Sequence, residues 1–424
     1  MKVFKFGGAS VKDVAGVQNV AKIIESHPAN HLVVVVSAMG KMTNAFESLV
    51  DAYTSGSDEM ITRLAEIRGY HEAIASGLDG ANEIKNAIDP VFGQLESRLQ
   101  RSPSDNYDFD YDQIVSFGEV LSTTVIAHHL NSKGLNCHWA DARRLIRTDS
   151  TYREARVNWE KTTDLVKAEW EKVTPNTKGK KLMLTQGFIG HTAELNVTTL
   201  GREGSDFSAA ILSYVLQAEN VTIWKDVPGV LNADPKYFSD AVMLKRISYR
   251  EAIELAYYGA SVIHPKTIKP LQNKGIVLFV RSFLNHSEEG TRIDSSTFSD
   301  SLVPSYIFKV NQILISFTPR DFSFVNEDNL SELFGYFVEH GIKTNLMQNS
   351  ALNFSICVDY NEKKLERLKE KFIDRYEVLY NRPCELVTIR HYDQETISRL
   401  LIGKKVLVEQ KSRNTARMVL MESD

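Results

Sequence analysis

The chain has 424 residues, enough for two or three domains with separate cores. A formal net charge of −4 gives no overall basic footprint and argues against nucleic acid as the main partner. The three cysteines, Cys137, Cys357 and Cys384, form no CxxC pair, which argues against a cysteine zinc site and fits a reducing cytoplasm. The N-terminus has no signal-peptide pattern, and the longest apolar run, HLVVVVSAMG, is far too short to span a membrane. A cytoplasmic location with no membrane partner is expected.

Residues 3–6 read as a buried strand broken by Gly7 and Gly8. Glycine has no Cβ, so its amide can meet a ligand closely. Ser10 reads as the N-cap of a helix over residues 11–24. Strand end, glycine turn and helix N-terminus together make an anion site, most often one for phosphate, and Lys5 adds a full positive charge. The alternative is a tight turn beside a solvent lysine. No Walker loop is present; Gly40–Lys41 has the Gly-Lys pair without the rest.

Further strands are expected at residues 32–38, 181–188, 221–226 and 276–282, with helices between them. That alternation predicts an α/β fold with a mostly parallel sheet sandwiched by helices. Residues 43–101 read as a helical lobe beside the sheet. The polar, serine-rich stretch NHSEEGTRIDSSTFSDSLVP reads as a linker over 285–305, closing a first domain at 1–284. After it the pattern shortens to two small α+β modules, 306–384 as βαββαβ and 385–424 as a truncated βαββ. The truncated sheet is expected to need a neighbour, which the first module or a second chain could supply, and a homodimer through residues 306–424 is expected.

Ligands of open α/β sheets collect at the carboxyl ends of strands. There SAMGKMTN offers Ser37 and Thr43, and TLGREGSDFSAA offers Arg202 between Gly201 and Gly204. Arg202 can grip a carboxylate with two parallel hydrogen bonds, and Ser205 or Asp206 can cap a helix near Phe207. SFGE puts Glu119 near an expected helix start. Glu119 and Asp206 read equally well as helix caps or ligand contacts, and His264 before Pro265 reads as structural. Together these residues supply a phosphate cradle, a carboxylate-binding arginine, an ammonium-binding glutamate and acids able to organise a divalent metal.

In order along the chain, KFGGAS, SAMGKMTN, SFGE, GFIG, GREGSD, DVPGVLNADP and GASVIHPKT resemble the aspartate kinases of the amino-acid kinase family. The terminal modules resemble that family's ACT regulatory domains. The chain ends without room for a fused homoserine dehydrogenase, so a monofunctional enzyme is expected. The resemblance implies ATP-dependent phosphorylation of the L-aspartate side-chain carboxylate to 4-phospho-L-aspartate, opening lysine, threonine and methionine biosynthesis. It implies ATP with Mg2+ as cofactors and no resident protein-bound metal.

The resemblance also implies roles. Lys5, Gly7 and Gly8 hold the transferring phosphate beside Ser10, and Ser37, Thr43 and Ser205 bind the amino acid. Glu119 takes its ammonium, Arg202 its α-carboxylate, and Asp206 supports the site or its metal. Lys225, Asp226, Leu231, Asn232, Asp234, Lys236, Ser261 and Lys266 lie where the family holds the nucleotide. Several positions depart from the family pattern: Ala9, Glu203, Lys225, Lys236 and Ser261. Glu203 places a carboxylate beside the arginine, where it either points to solvent or weakens the site. The rival readings are a kinase of the same fold acting on another substrate, and a catalytically weak amino-acid sensor. The turn TPRDFSFVNEDN has no glycine to bring backbone amides to an effector, so weak or absent inhibition by lysine or threonine is expected.

Overall fold

The computed structural model describes residues 1–177, 179–260 and 263–423. The chain divides into two compact units. The first comprises Met1–Val230, Met243–Ile253 and Val262–Thr297; the second comprises Leu231–Val242, Glu254–Ser261 and Phe298–Asp424.

The first unit is built on an eight-stranded sheet. In spatial order its strands are Cys137–Ala140, Lys181–Gln186, His31–Val36, Lys2–Phe6, Asn220–Lys225, Val277–Ser282, Thr291–Asp294 and Arg246–Ser248. Neighbours run parallel except Thr291–Asp294 against Val277–Ser282. The HLVVVV run is a central strand: Val33, Val34, Val35 and Val36 have no exposed surface, as a parallel strand covered on both faces requires. Lys5 pairs in register with Val35 on one side and Ile223 on the other. Its side chain is therefore carried near the carboxyl end of the middle strand.

The helical lobe forms as expected, with helices at Met42–Ser55, Glu59–Ser76 and Ala81–Leu99. Ser10 is not a helix cap. A 3-10 turn, Gly8–Val11, intervenes, and the helix Val14–Ser26 is capped by Asp13, whose side chain accepts from Gly16 N–H at 2.8 Å. Glu119 is not at a helix start either; it lies midway along the buried helix Tyr107–Ser132. Gly118 lets that helix approach closely, since a Cβ there would lie 3.1 Å from Phe46 and 3.2 Å from Ala38. The stretch read as a linker contains a sheet strand, Thr291–Asp294, tied by Asp294 to Arg246 and Arg292.

The second unit holds a six-stranded antiparallel sheet. Its order is Thr344–Asn349, Phe354–Asp359, Ser305–Pro319, Tyr376–Arg390, Thr415–Glu422 and Lys404–Lys411. The two long strands are shared along their length. Residues 314–319 pair with 376–381, while 305–309 pair with 386–390. The helices Glu327–Glu339 and Glu362–Phe372 cover one end around Phe317, Phe337 and Phe372. At the other end Ile397, Phe238 and Ala241 pack with Tyr306 and Met418. Residues 385–424 thus do not stand alone as a truncated module. Their sheet takes its missing strand from residues 305–309 and further cover from 233–241. Among the described residues, no helix is long and apolar enough to cross a membrane.

Candidate functional site

Within the first unit a cavity of about 830 Å³ opens where the strands Lys2–Phe6, His31–Val36 and Asn220–Lys225 end. Lys5, Ser37, Thr43, Glu119, Arg202, Ser205, Asp206 and Lys225 all line it. The Gly7–Gly8 turn flanks it: a Cβ on Gly7 would sit 3.2 Å from Lys5 Nζ. On Gly8 a Cβ would sit 2.6 Å from Gly40 O and 2.8 Å from Ala38 O, so only glycine fits between the two strand ends. Ser37 N–H donates to Phe6 O at 3.1 Å and Gly40 N–H to Gly8 O at 3.0 Å, which binds the two turns together.

Lys5 and Asp206 form an ion pair, Nζ to Oδ1, at 2.8 Å. Asp206 stands in the first turn of the helix Gly204–Leu216, whose positive end faces the same cavity as Lys5. Glu119 is 2 % exposed, and its Oε2 has no hydrogen-bond partner among the described residues. Burial pushes its carboxyl up to about 8, against the opposing pull of backbone N–H groups. A buried carboxyl with an unpartnered oxygen is poised to ionise against an incoming cation. Arg202 is exposed.

Glu203 is half-buried and lines the cavity beside Arg202. Its Oε2 accepts from His264 N–H at 2.8 Å, fastening the turn that bears Arg202 to the start of the helix Pro265–Lys274. Its backbone takes a left-handed φ of 52°. Lys266 braces the same junction from the other side, donating from Nζ to Leu200 O at 2.9 Å. Burial lowers its pKa. Lys266 lies outside the cavity lining, and its ammonium is engaged by Leu200 O. His264 is structural as expected, its Nδ1 accepting from Lys266 N–H.

Ser10 is buried beneath the glycine turn and does not line the cavity. Asp226 is exposed just past the end of its strand. Leu231, Asn232, Asp234 and Lys236 belong to the second unit. There Asn232 commits its amide to Pro304 O and Val242 N–H, and Asp234 accepts from Lys236 N–H in a tight turn. Ser261 lies outside the described residues.

The sequence reading missed Tyr111, Arg153 and Thr199 on the cavity wall, and Asp112 behind it. Asp112 is fully buried and accepts from Arg153 N–H, Thr199 N–H and Thr199 Oγ1–H at 3.0, 2.8 and 2.7 Å. Burial still raises its carboxyl to about 6. A signal was available in the spacing, because Asp108, Asp112 and Glu119 recur at helical intervals on one face. Among the described residues no group of three or more His, Cys, Asp or Glu could hold a metal ion.

Residues 1–282 match the amino acid kinase family. The lysine-sensitive aspartokinase 3 of Escherichia coli is 31% identical over 358 residues, covering 84% of this chain and 78% of that protein. A bifunctional aspartokinase/homoserine dehydrogenase of Arabidopsis thaliana is 30% identical over 393 residues, and there the match spans only 42% of the relative. Among solved structures, E. coli aspartokinase III in complex with lysine and aspartate superposes with a TM-score of 0.83 at 26% identity, covering 100% of this chain and 96% of that one. The same enzyme in complex with aspartate and ADP gives 0.79 at 26% identity, covering 99% and 96%. The chain belongs to the amino acid kinase family and, within it, to the aspartokinases.

Proposed function

We propose that this chain transfers the terminal phosphoryl group of ATP to the side-chain carboxylate of L-aspartate, giving 4-phospho-L-aspartate for amino-acid biosynthesis. The observation that carries the reading is one cavity holding the Lys5–Asp206 pair, the buried Glu119 and the exposed fork of Arg202. Aspartate offers one group for each of the last two. Its ammonium would neutralise Glu119, and its α-carboxylate would be held by Arg202. Ser37, Thr43 and Ser205 supply hydroxyls around it.

The acceptor is a carboxylate that ordinarily titrates at about pH 3.9, so it is ionised at neutral pH and no general base is needed. The barrier lies in bringing an anion to a polyanion. Lys5 answers that with a charge fixed by Asp206, and the positive end of Gly204–Leu216 adds to it. The glycine turn at Gly7–Gly8 gives phosphate close access to backbone, with Lys225 and Asp226 as the nearby nucleotide residues of this unit. Magnesium would arrive on the nucleotide phosphates and help neutralise their charge. The described residues offer it no cage of their own, and a single acid such as Asp206 suits an ion that keeps phosphate and water ligands.

A substrate panel tests the reading. ADP release should require L-aspartate and should be absent with glutamate, acetylglutamate or a nucleoside monophosphate; turnover of one of those instead would assign the rival kinase reading. We further propose a homodimer through residues 306–424. Its support is that apolar side chains on strands of the second unit, Met347, Leu379, Tyr380 and Val406, are exposed. Light scattering at micromolar concentration should give twice the chain mass of 47.9 kDa; a monomer would remove this part of the proposal.

A further inference from the structure

Arg153 lines the same cavity as Arg202. It is one of the few non-glycine residues with a left-handed backbone, at φ 67°. That conformation disfavours side chains, and strain of this kind persists only where the surroundings impose it. Here they do. Arg153 N–H is held by the buried Asp112, and beyond Glu154 the Ala155 N–H donates to Thr199 O at 3.0 Å. At the base of the loop Asp149 Oδ1 accepts from both Thr151 N–H and Arg156 N–H. The loop is thus pinned at three points. It also abuts the Arg202 turn: a Cβ on Gly201 would lie 3.2 Å from Arg153 O.

The pinned backbone delivers the guanidinium across the face of Tyr111, 4.2 Å from the ring centroid. Its side chain is 45% exposed, and its ion-pair partner is Asp108 at 3.5 Å, too long to saturate the fork. A solvent-facing arginine on a pinned backbone, on the cavity wall with Arg202, is set up for an anionic ligand. We infer that Arg153 is a second carboxylate-binding residue, which fixes specificity for the dicarboxylic amino acid together with Arg202. The inference rests on the aspartate reading given under Proposed function.

The test measures steady-state kinetics and thermal unfolding of Arg153→Gly, Arg153→Lys and wild type. Glycine suits the left-handed backbone, so Arg153→Gly should fold and melt close to wild type. Its KM for L-aspartate should rise about tenfold, the scale of one charge-assisted hydrogen bond, with kcat and the KM for ATP nearly unchanged. Arg153→Lys should fall between the two, keeping charge without the planar fork. An unchanged aspartate KM in both variants overturns the inference. So does a parallel change in both KM values and the melting temperature, which is the mark of a merely structural arginine. Wild-type turnover of aspartate in the same assay reports separately on the underlying reading.

Discussion

Lys5 Nζ stands 2.8 Å from Asp206 Oδ1, and the two side chains are only 12% and 4% exposed. A charge pair so nearly removed from water has few rotamers left to it. The ammonium is therefore already in place when an anion arrives, and reorganisation at the moment of transfer is avoided.

Lys5→Met should lower kcat by roughly 10²–10³ with the circular dichroism spectrum retained, since fixed charge in such sites is worth several kcal/mol. It should also destabilise the fold, because Asp206 is left buried without its cation. Adding Asp206→Asn should recover part of the stability and none of the turnover. Near-normal turnover of purified Lys5→Met removes Lys5 from the transfer step.

Arg202→Lys keeps the charge and loses the fork. The KM for aspartate should rise by about ten- to a hundredfold, and that for ATP far less. Equal changes for both substrates would mean that Arg202 does not hold the amino acid.

Glu119 gives a pH signature. Its carboxyl is raised from 4.5 to about 8 by burial. Between those values the unfolded chain has lost the proton and the folded chain has kept it. The folded state binds more protons, so Glu119 makes stability fall as pH rises through this window, by at most about 1.4 kcal/mol per pH unit. Glu119→Gln should flatten that slope in denaturant titrations at pH 5 to 8. If Glu119 pairs with the substrate ammonium, aspartate binding should release a proton near neutral pH, measurable by calorimetry in buffers of different ionisation enthalpy. A buffer-independent heat contradicts the pairing.

Glu203 lines the cavity with its Oε2 held by His264 N–H. Glu203→Gln retains an acceptor and should leave the aspartate KM within about twofold, a difference of a few tenths of a kcal/mol. Glu203→Ala loses the clasp and should cost roughly 1–2 kcal/mol of stability. A marked drop in aspartate KM on Glu203→Gln would show that the carboxylate repels substrate after all.

What was legible in the sequence follows from where the chemistry sits. Lys5, Ser37, Arg202 and Asp206 neighbour strand ends and glycine turns, and such punctuation is local. Glu119 was found by motif but placed wrongly. Its helix is buried on nearly every face, so apolar periodicity cannot mark where it begins. Arg153 and Asp112 meet through a tertiary hydrogen bond across 41 positions, which no local pattern encodes. The strand Thr291–Asp294 is short and polar, and exists because Arg246–Ser248 and Val277–Ser282 pair with it. Residues 305–309 complete a sheet with partners some 80 positions away, so the chain order of strands concealed the module they belong to. Ser10 shows the finer limit: its helix-start chemistry was sound, and a four-residue 3-10 turn moved the cap to Asp13.

The central claim is that a carboxylate accepts the phosphoryl group, and the product's chemistry allows it to be caught. Wild-type protein incubated with ATP, magnesium, L-aspartate and hydroxylamine should accumulate aspartyl hydroxamate in proportion to ADP released, because hydroxylamine attacks an acyl phosphate. The hydroxamate should vanish when aspartate is omitted and fall in step with kcat in Lys5→Met. ADP release without hydroxamate, or no aspartate-dependent ADP release from well-folded protein, would contradict the account.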